Sequence, residues 1–182
     1  MLNKNIKLDD DEKIADMLKT IKIDMSAENG KQKVVLNGRD VTEQIRSKEV
    51  SANVSTVSSI KQIRLAMSGL QRKMAQGKNV IMEGRDIGTV VFPTADVKIY
   101  LDANVEVRAQ RRFQQNQEKG IEMSYEEVLE SIKKRDKNDM EKEIGALKVA
   151  PGAVVIDTTQ MTIKQQEQAM CKVIDKKLKE KK

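Results

Sequence analysis

The chain has 182 residues, 38% hydrophobic and 34% charged, with a net charge of +6, which describes one globular domain able to bury a core, with room for a small inserted lobe. It contains no histidine and one cysteine, Cys171. That excludes Ser-His-Asp and Cys-His catalysis, intrachain disulfides and thiolate metal clusters, and it suits a reducing cytoplasm. No apolar run approaches the ~18 residues of a membrane span, and no signal-peptide core is present near Met1. The basic excess would serve a polyanion or an anionic small molecule, although part of it sits in the terminal "DKKLKEKK", where lysines favour a helix C-terminus. With two Tyr, two Phe and no Trp, packing falls to Ile, Val, Leu and ten adaptable Met.

In chain order, a helix is predicted from Asp9, with acids in its first turn and Ile14, Met17, Leu18 and Ile21 at helical spacing. Residues 21–38 read as a β-hairpin around Asn29-Gly30, and Asp40 to Glu43 ("DVTE") as a capping box opening a short helix. Ile60, Ile63, Met67, Leu70 and Met74 form one stripe of a helix over 60–76, closed by Gly77. A buried strand is predicted at 80–82, a second at 96–103, and a helix at 104–119 with Asn104 as N-cap and Gly120 beyond its end. Ser124 and Glu127 form a further capping box, "AVVIDTT" (153–159) a third strand, and Thr162 the start of the last helix. Alternating strands and helices imply βαβ units and a parallel sheet with helices on both faces. The hairpin and short helix at 21–47 stand apart from that alternation as a small lobe.

The chemistry concentrates where the strand at 80–82 runs into Glu83-Gly84-Arg85-Asp86. Ligands of open parallel α/β sheets collect outside the carboxyl ends of the strands, and Gly84 would allow close backbone approach. Two more arginine groups could reach that edge: "VRAQRR" (Arg108, Arg111, Arg112) and "KKRDKND" (Arg135, Asp139). Arginine grips phosphate bidentately where lysine offers a point charge. Phosphoryl transfer relies on positioning and charge rather than on a nucleophilic side chain, so it needs no histidine. The tripeptide "GRD" alone equally suits a salt bridge at a sheet rim.

The wider context, "EGRDIGTVVFPTADVKIYLDANVEVRAQRR" with "KVVLNGRDVTEQIRSKEVSANVSTVSSI", resembles the bacterial cytidylate (CMP/dCMP) kinase family from about residue 5 to 178. The resemblance implies a P-loop NTPase-like, nucleoside monophosphate kinase fold: a three-layer parallel sheet, with 21–47 as the CMP-binding insert, 78–182 as core sheet and helices, and a lid at about 133–147. It implies ATP-dependent phosphorylation of CMP or dCMP, with ATP and Mg²⁺, in a cytoplasmic monomer acting on small molecules rather than nucleic acid or membrane. Position by position, it puts Ser55 and Arg64 on cytosine, Arg85 on the CMP phosphate and Asp86 near the base. It further puts Arg111 on ATP, Arg135 on phosphate and Asp139 on the ribose, with Arg85 and Arg135 catalytic. A carboxylate, a hydroxyl and a guanidinium together can tell cytosine from uracil, because the wrong base leaves buried polar groups unpaired.

The sequence also departs from the family. Residues 1–20 contain no glycine-rich loop ending in Gly-Lys-Ser/Thr and no tyrosine-arginine segment after it. The family's first strand, which lies between those matching 80–82 and 97–101, is therefore expected to be missing. Met1 is expected to mark a fragment or an alternative start, leaving the chain by itself without the ATP cradle. Glu83 stands where the family has aspartate, Lys142 where it has arginine, and Gly145-Ala146-Leu147 where it has "APL". The alternatives are a catalytically dead nucleotide-binding homologue and a basic nucleic-acid-binding protein. The latter predicts steeply salt-dependent binding, and the scarcity of stacking aromatics argues against it.

Overall fold

The structure, a computed structural model, describes residues 6–28 and 30–180. The chain divides into two compact units, residues 1–81 and 82–182.

The first unit opens with α1 (Asp11–Thr20), whose N-cap Asp10 accepts the backbone N–H of Lys13. That carboxyl is held below its ordinary range, first by the Lys13 ammonium and then by the Lys13 amide. Ile14 and Met17, one turn apart, are buried. Next comes an antiparallel sheet, β1 (Ile23–Glu28), β2 (Lys31–Leu36) and β3 (Arg39–Asp40), with Ile23 opposite Leu36 and Leu36 opposite Arg39. The hairpin is thus as expected, although Asn29 lies outside the described residues. The second turn was not anticipated: Asn37 (φ 50°) and Gly38 (φ 80°) are both left-handed, as a two-residue type I′ connection demands. It adds β3 to the sheet.

The capping box expected at Asp40 to Glu43 does not form. Asp40 instead accepts both the backbone N–H and the hydroxyl of Thr42, an Asx-type turn that lowers the Asp40 pKa. Only a 3₁₀ turn, Gln44–Arg46, follows, without a side-chain cap. Two helices then run in succession, α2 (Lys48–Ser59) and α3 (Lys61–Ala75). Ser47 caps α2 by accepting the Val50 N–H, and extended Ile60 separates the two. The predicted stripe of α3 holds: Ile63 is buried and Met67, Leu70 and Met74 are half-buried. Gln62 ties α3 to α1 through Asp11 at 3.0 Å, and Gly77 (φ 69°) closes the unit's last helix.

The strand predicted at 80–82 is a correction. These residues are irregular, with Val80 exposed and Ile81 97% exposed. An apolar run becomes a strand only where a neighbour supplies a hydrogen-bond ladder, and no described strand pairs with this one.

The second unit is α/β with a parallel sheet of two strands, β4 (Ile99–Asp102) and β5 (Val154–Asp157), in register from Ile99–Val154 to Asp102–Asp157. Both are shorter than their apolar runs. The crossover carries α4 (Val105–Glu118), capped by Asn104, and α5 (Tyr125–Met140), opened by the full Ser124/Glu127 capping box. Thr162 and Gln165 make the same device for α6 (Ile163–Lys179). Ala109, Val128 and Ile156 are buried; along α6, Met170, Val173 and Ile174 are half-buried while Ile163 stays exposed. A π-turn at Ile87–Val91, not foreseen, packs Val91 into the core.

Ser124→Ala should remove one arm of the α5 box and cost about 1 kcal/mol. For a chain of this length that lowers the melting temperature by roughly 2–4 °C, read by circular dichroism; an unchanged melt would show that the box does not hold α5 in place.

Candidate nucleotide site

The carboxyl edge of the β4–β5 sheet is tied together before any ligand is considered. Thr158 donates its N–H and its hydroxyl to the Asp102 carbonyl, at 2.7 and 2.8 Å, and the Asn104 N–H reaches the Thr159 hydroxyl at 3.0 Å. α4 starts at that edge. Its Arg108 and Arg111, three residues apart, face one side of the helix. Arg111 donates to the carbonyls of Thr158 (2.6 Å) and Met161 (3.1 Å) beyond β5. Arg108 donates its Nε–H to the Ala103 carbonyl beyond β4 (2.9 Å) and a terminal nitrogen to Asp136 Oδ2 at 2.6 Å.

α5 supplies the acids. Its spacing sets Arg135 and Asp136 four and three residues before Asp139, so all three lie along one side of the helix end, and Lys142 follows just beyond the C-cap. Asp139 is 3% exposed. Its Oδ1 accepts Lys142 Nζ at 2.7 Å, and its Oδ2 faces Arg85 Nε at 3.4 Å and Arg135 Nε at 3.8 Å. No well-formed hydrogen bond reaches Oδ2 among the described residues. Arg85 also lies 3.9 Å from Asp136 Oδ1. Two carboxylates thus gather three guanidiniums and one ammonium, an excess of two positive charges that favours an anion. The Leu147 N–H, donated to the Asp139 carbonyl, folds the following loop back onto the end of α5.

Arg85 projects from a segment held by the π-turn. The Asp86 carbonyl accepts the N–H of Val90 at 2.8 Å and of Thr89 and Val91 at 3.3 Å, and Asp86 itself is buried. A Cβ on Gly84 would come within 2.8 Å of Ile87 Cγ1. Close packing by Ile87 is therefore a sufficient reason for that glycine.

Of the residues singled out in the sequence, Arg85, Arg135 and Asp139 meet in one cluster, with Asp86 beside Arg85 in the chain. Arg111 is occupied by the loop after β5. Ser55 and Arg64 belong to the first unit, at the α2–α3 junction. The Ser55 carbonyl accepts the Ser58 hydroxyl at 2.9 Å, and an Arg64 terminal nitrogen lies 3.5 Å from the Ser58 carbonyl. Sequence reasoning missed Asp136 and gave Arg108 no role. The signal was present as Arg-Asp-x-x-Asp on one helix face, but nothing in the sequence says that α4 packs there.

A profile described as cytidylate kinase matches residues 1–176. The chain belongs to the cytidylate kinase family. Among curated relatives, the cytidylate kinase of Caldicellulosiruptor saccharolyticus is 46% identical over 175 residues, which cover 96% of this chain and 76% of that protein. That of Fusobacterium nucleatum is 46% identical over 97% of this chain and 79% of its own, and that of Bacillus subtilis 41% identical over the same shares. Cytidylate kinase family membership implies the P-loop NTPase fold class, with ATP as phosphate donor. No described helix is long and apolar enough to cross a membrane.

Asp139→Asn would leave Lys142, 12% exposed at its side chain, as a buried cation without its anion. A loss of about 3 kcal/mol is expected, with Asp139→Asn/Lys142→Met recovering most of it in urea titrations. A single-variant loss below about 1 kcal/mol would show that the pair is screened like a surface ion pair.

Proposed function

We propose that this chain is a cytidylate kinase, acting on CMP or dCMP with ATP to give CDP or dCDP and ADP. The observation that carries the reading is the cluster of Arg85, Arg108, Arg135 and Lys142 around Asp136 and Asp139, found in a chain of this family. Phosphoryl transfer between nucleotides asks for little covalent help. An oxygen of the CMP phosphate attacks the γ-phosphorus, ADP leaves in line, and the protein's work is orientation and neutralisation of oxygens. Guanidiniums that do not lose their charge and fork onto two oxygens are suited to that task.

In this reading Arg85 takes the CMP phosphate and Arg135 the phosphates nearest the transfer, the two catalytic roles. Asp86 is assigned to the base; Ser55 and Arg64, in the first unit, are assigned to cytosine. The Asp139 oxygen that lacks a good donor is the acceptor for a ribose hydroxyl, which would add a hydrogen bond to an oxygen held so far only by two guanidinium charges. Arg111, held at its terminal nitrogens by the Thr158 hydroxyl and by carbonyls of the loop after β5, offers its flat face to ATP. Mg²⁺ travels with ATP as the MgATP substrate, held chiefly by phosphate oxygens and water. The finer architecture in the proposal is a three-layer sheet with helices on both faces, in which residues 21–47 form the CMP-binding insert and 133–147 the lid. The proposed state is a cytoplasmic monomer.

CMP or dCMP at about 100 times its Kd should stabilise the chain by about 2.7 kcal/mol, a rise of roughly 5–10 °C in melting temperature. The paired substitution Arg85→Ala/Asp86→Ala should abolish the rise, and a coupled assay with MgATP tests turnover separately. Melting that ignores both nucleotides would overturn the reading.

A further inference from the structure

Asp136 has no part in the roles given above, yet it sits between two arginines. We infer that Asp136 is a positioning residue for the phosphate-binding guanidinium: held by Arg108, it orients Arg85. This rests on the assignment of CMP as the ligand.

The geometry is sequential. Arg108 is anchored at the end of β4 by donating Nε–H to the Ala103 carbonyl at 2.9 Å, and Ala103 is buried. From that anchor a terminal nitrogen makes a 2.6 Å bond to Asp136 Oδ2. The other oxygen of the same carboxylate, Oδ1, faces a terminal nitrogen of Arg85 at 3.9 Å. The Asp136 side chain is 15% exposed, that of Arg85 40%. A nearly buried, hydrogen-bonded carboxylate therefore flanks a guanidinium that still reaches solvent. Asp139 flanks Arg85 as well, at Nε, so the arginine is bracketed by two fixed charges rather than by one. An arginine side chain has many rotamers, and holding it in one before the ligand arrives removes an ordering cost from binding. A negative charge beside Arg85 also competes with phosphate. Orientation is the larger of the two effects.

The role is phosphate-specific, which separates it from mere structural support. By calorimetry, Asp136→Asn should weaken CMP binding roughly tenfold while leaving cytidine, which has the base and ribose but no phosphate, within about twofold of the unsubstituted chain. In turnover the loss should fall on the KM for CMP rather than on the KM for ATP. Arg108→Lys, which keeps the charge on α4 but removes the fork that joins Ala103 to Asp136, should reproduce the CMP-selective loss and serves if Asp136→Asn does not fold. Equal losses for CMP and cytidine, or CMP binding that is unchanged or tighter, would overturn the inference while the kinase reading stands. Failure of the unsubstituted chain to bind CMP would overturn both.

Discussion

Burying a carboxylate is tolerated only if cations and donors surround it, and Asp139 is the place where this protein meets that condition. Four of the contacts at the site converge on it. Lys142 lies beyond the last turn of α5 and returns to Oδ1; Leu147 closes the loop onto the backbone of the same residue; Arg85 and Arg135 face Oδ2 from different segments. Residues 85, 135 and 142 are drawn to one point by one negative charge, and Leu147 joins them through the Asp139 main chain. The anion site proposed above is the outward side of that assembly, where the partly exposed guanidiniums emerge.

The second constraint is the carboxyl edge of the parallel pair. The residues just past β4 and β5 are bound to each other through Thr158, Asp102, Asn104 and Thr159, and α4 grips both strand ends through Arg108 and Arg111. Neither arginine is a free surface charge. Arg111 donates one terminal nitrogen to main-chain carbonyls and the other to the Thr158 hydroxyl, and Arg108 donates Nε–H to a carbonyl and a terminal nitrogen to an acid. The helix therefore acts as a strut whose charged groups align the strand ends with α5, in keeping with ligand sites at the C-terminal edge of such sheets.

Much of this was legible in the sequence, and the exceptions have physical causes. Helices with long stripes or capping boxes (α1, α3, α4, α5, α6) could be read because period and cap agree. α2 could not: "KEVSANVSTVSS" is rich in β-branched and hydroxyl residues of modest helix propensity, and it is helical through its Ser47 cap and its packing. Asn37-Gly38 carried as strong a turn signal as Asn29-Gly30, but it lay at the end of an apolar run and was absorbed into the strand. Residues 80–82 show the opposite error, since an apolar run states that burial would be favourable and not that a pairing edge exists. At the site, Arg85, Arg135 and Asp139 were legible through family resemblance. Asp136 was not, because its importance lies in a contact between α4 and α5 that no local pattern encodes.

Lys142 stands where the resemblance leads one to expect an arginine, and it meets Asp139 differently from a guanidinium. A guanidinium at that position could fork across both oxygens of Asp139, whereas an ammonium is a point donor, and here it engages Oδ1 alone at 2.7 Å. Oδ2 is thereby left to two guanidiniums that lie beyond good hydrogen-bond distance. Lysine satisfies half of the buried carboxylate and leaves the other half facing the cations that the proposal assigns to phosphate. A lysine there thus forgoes a bidentate contact with Asp139 and leaves Oδ2 without a well-formed hydrogen bond. In the proposed reading the oxygen that Lys142 leaves without a hydrogen bond is the one offered to a ribose hydroxyl, and the phosphate falls to Arg85 and Arg135.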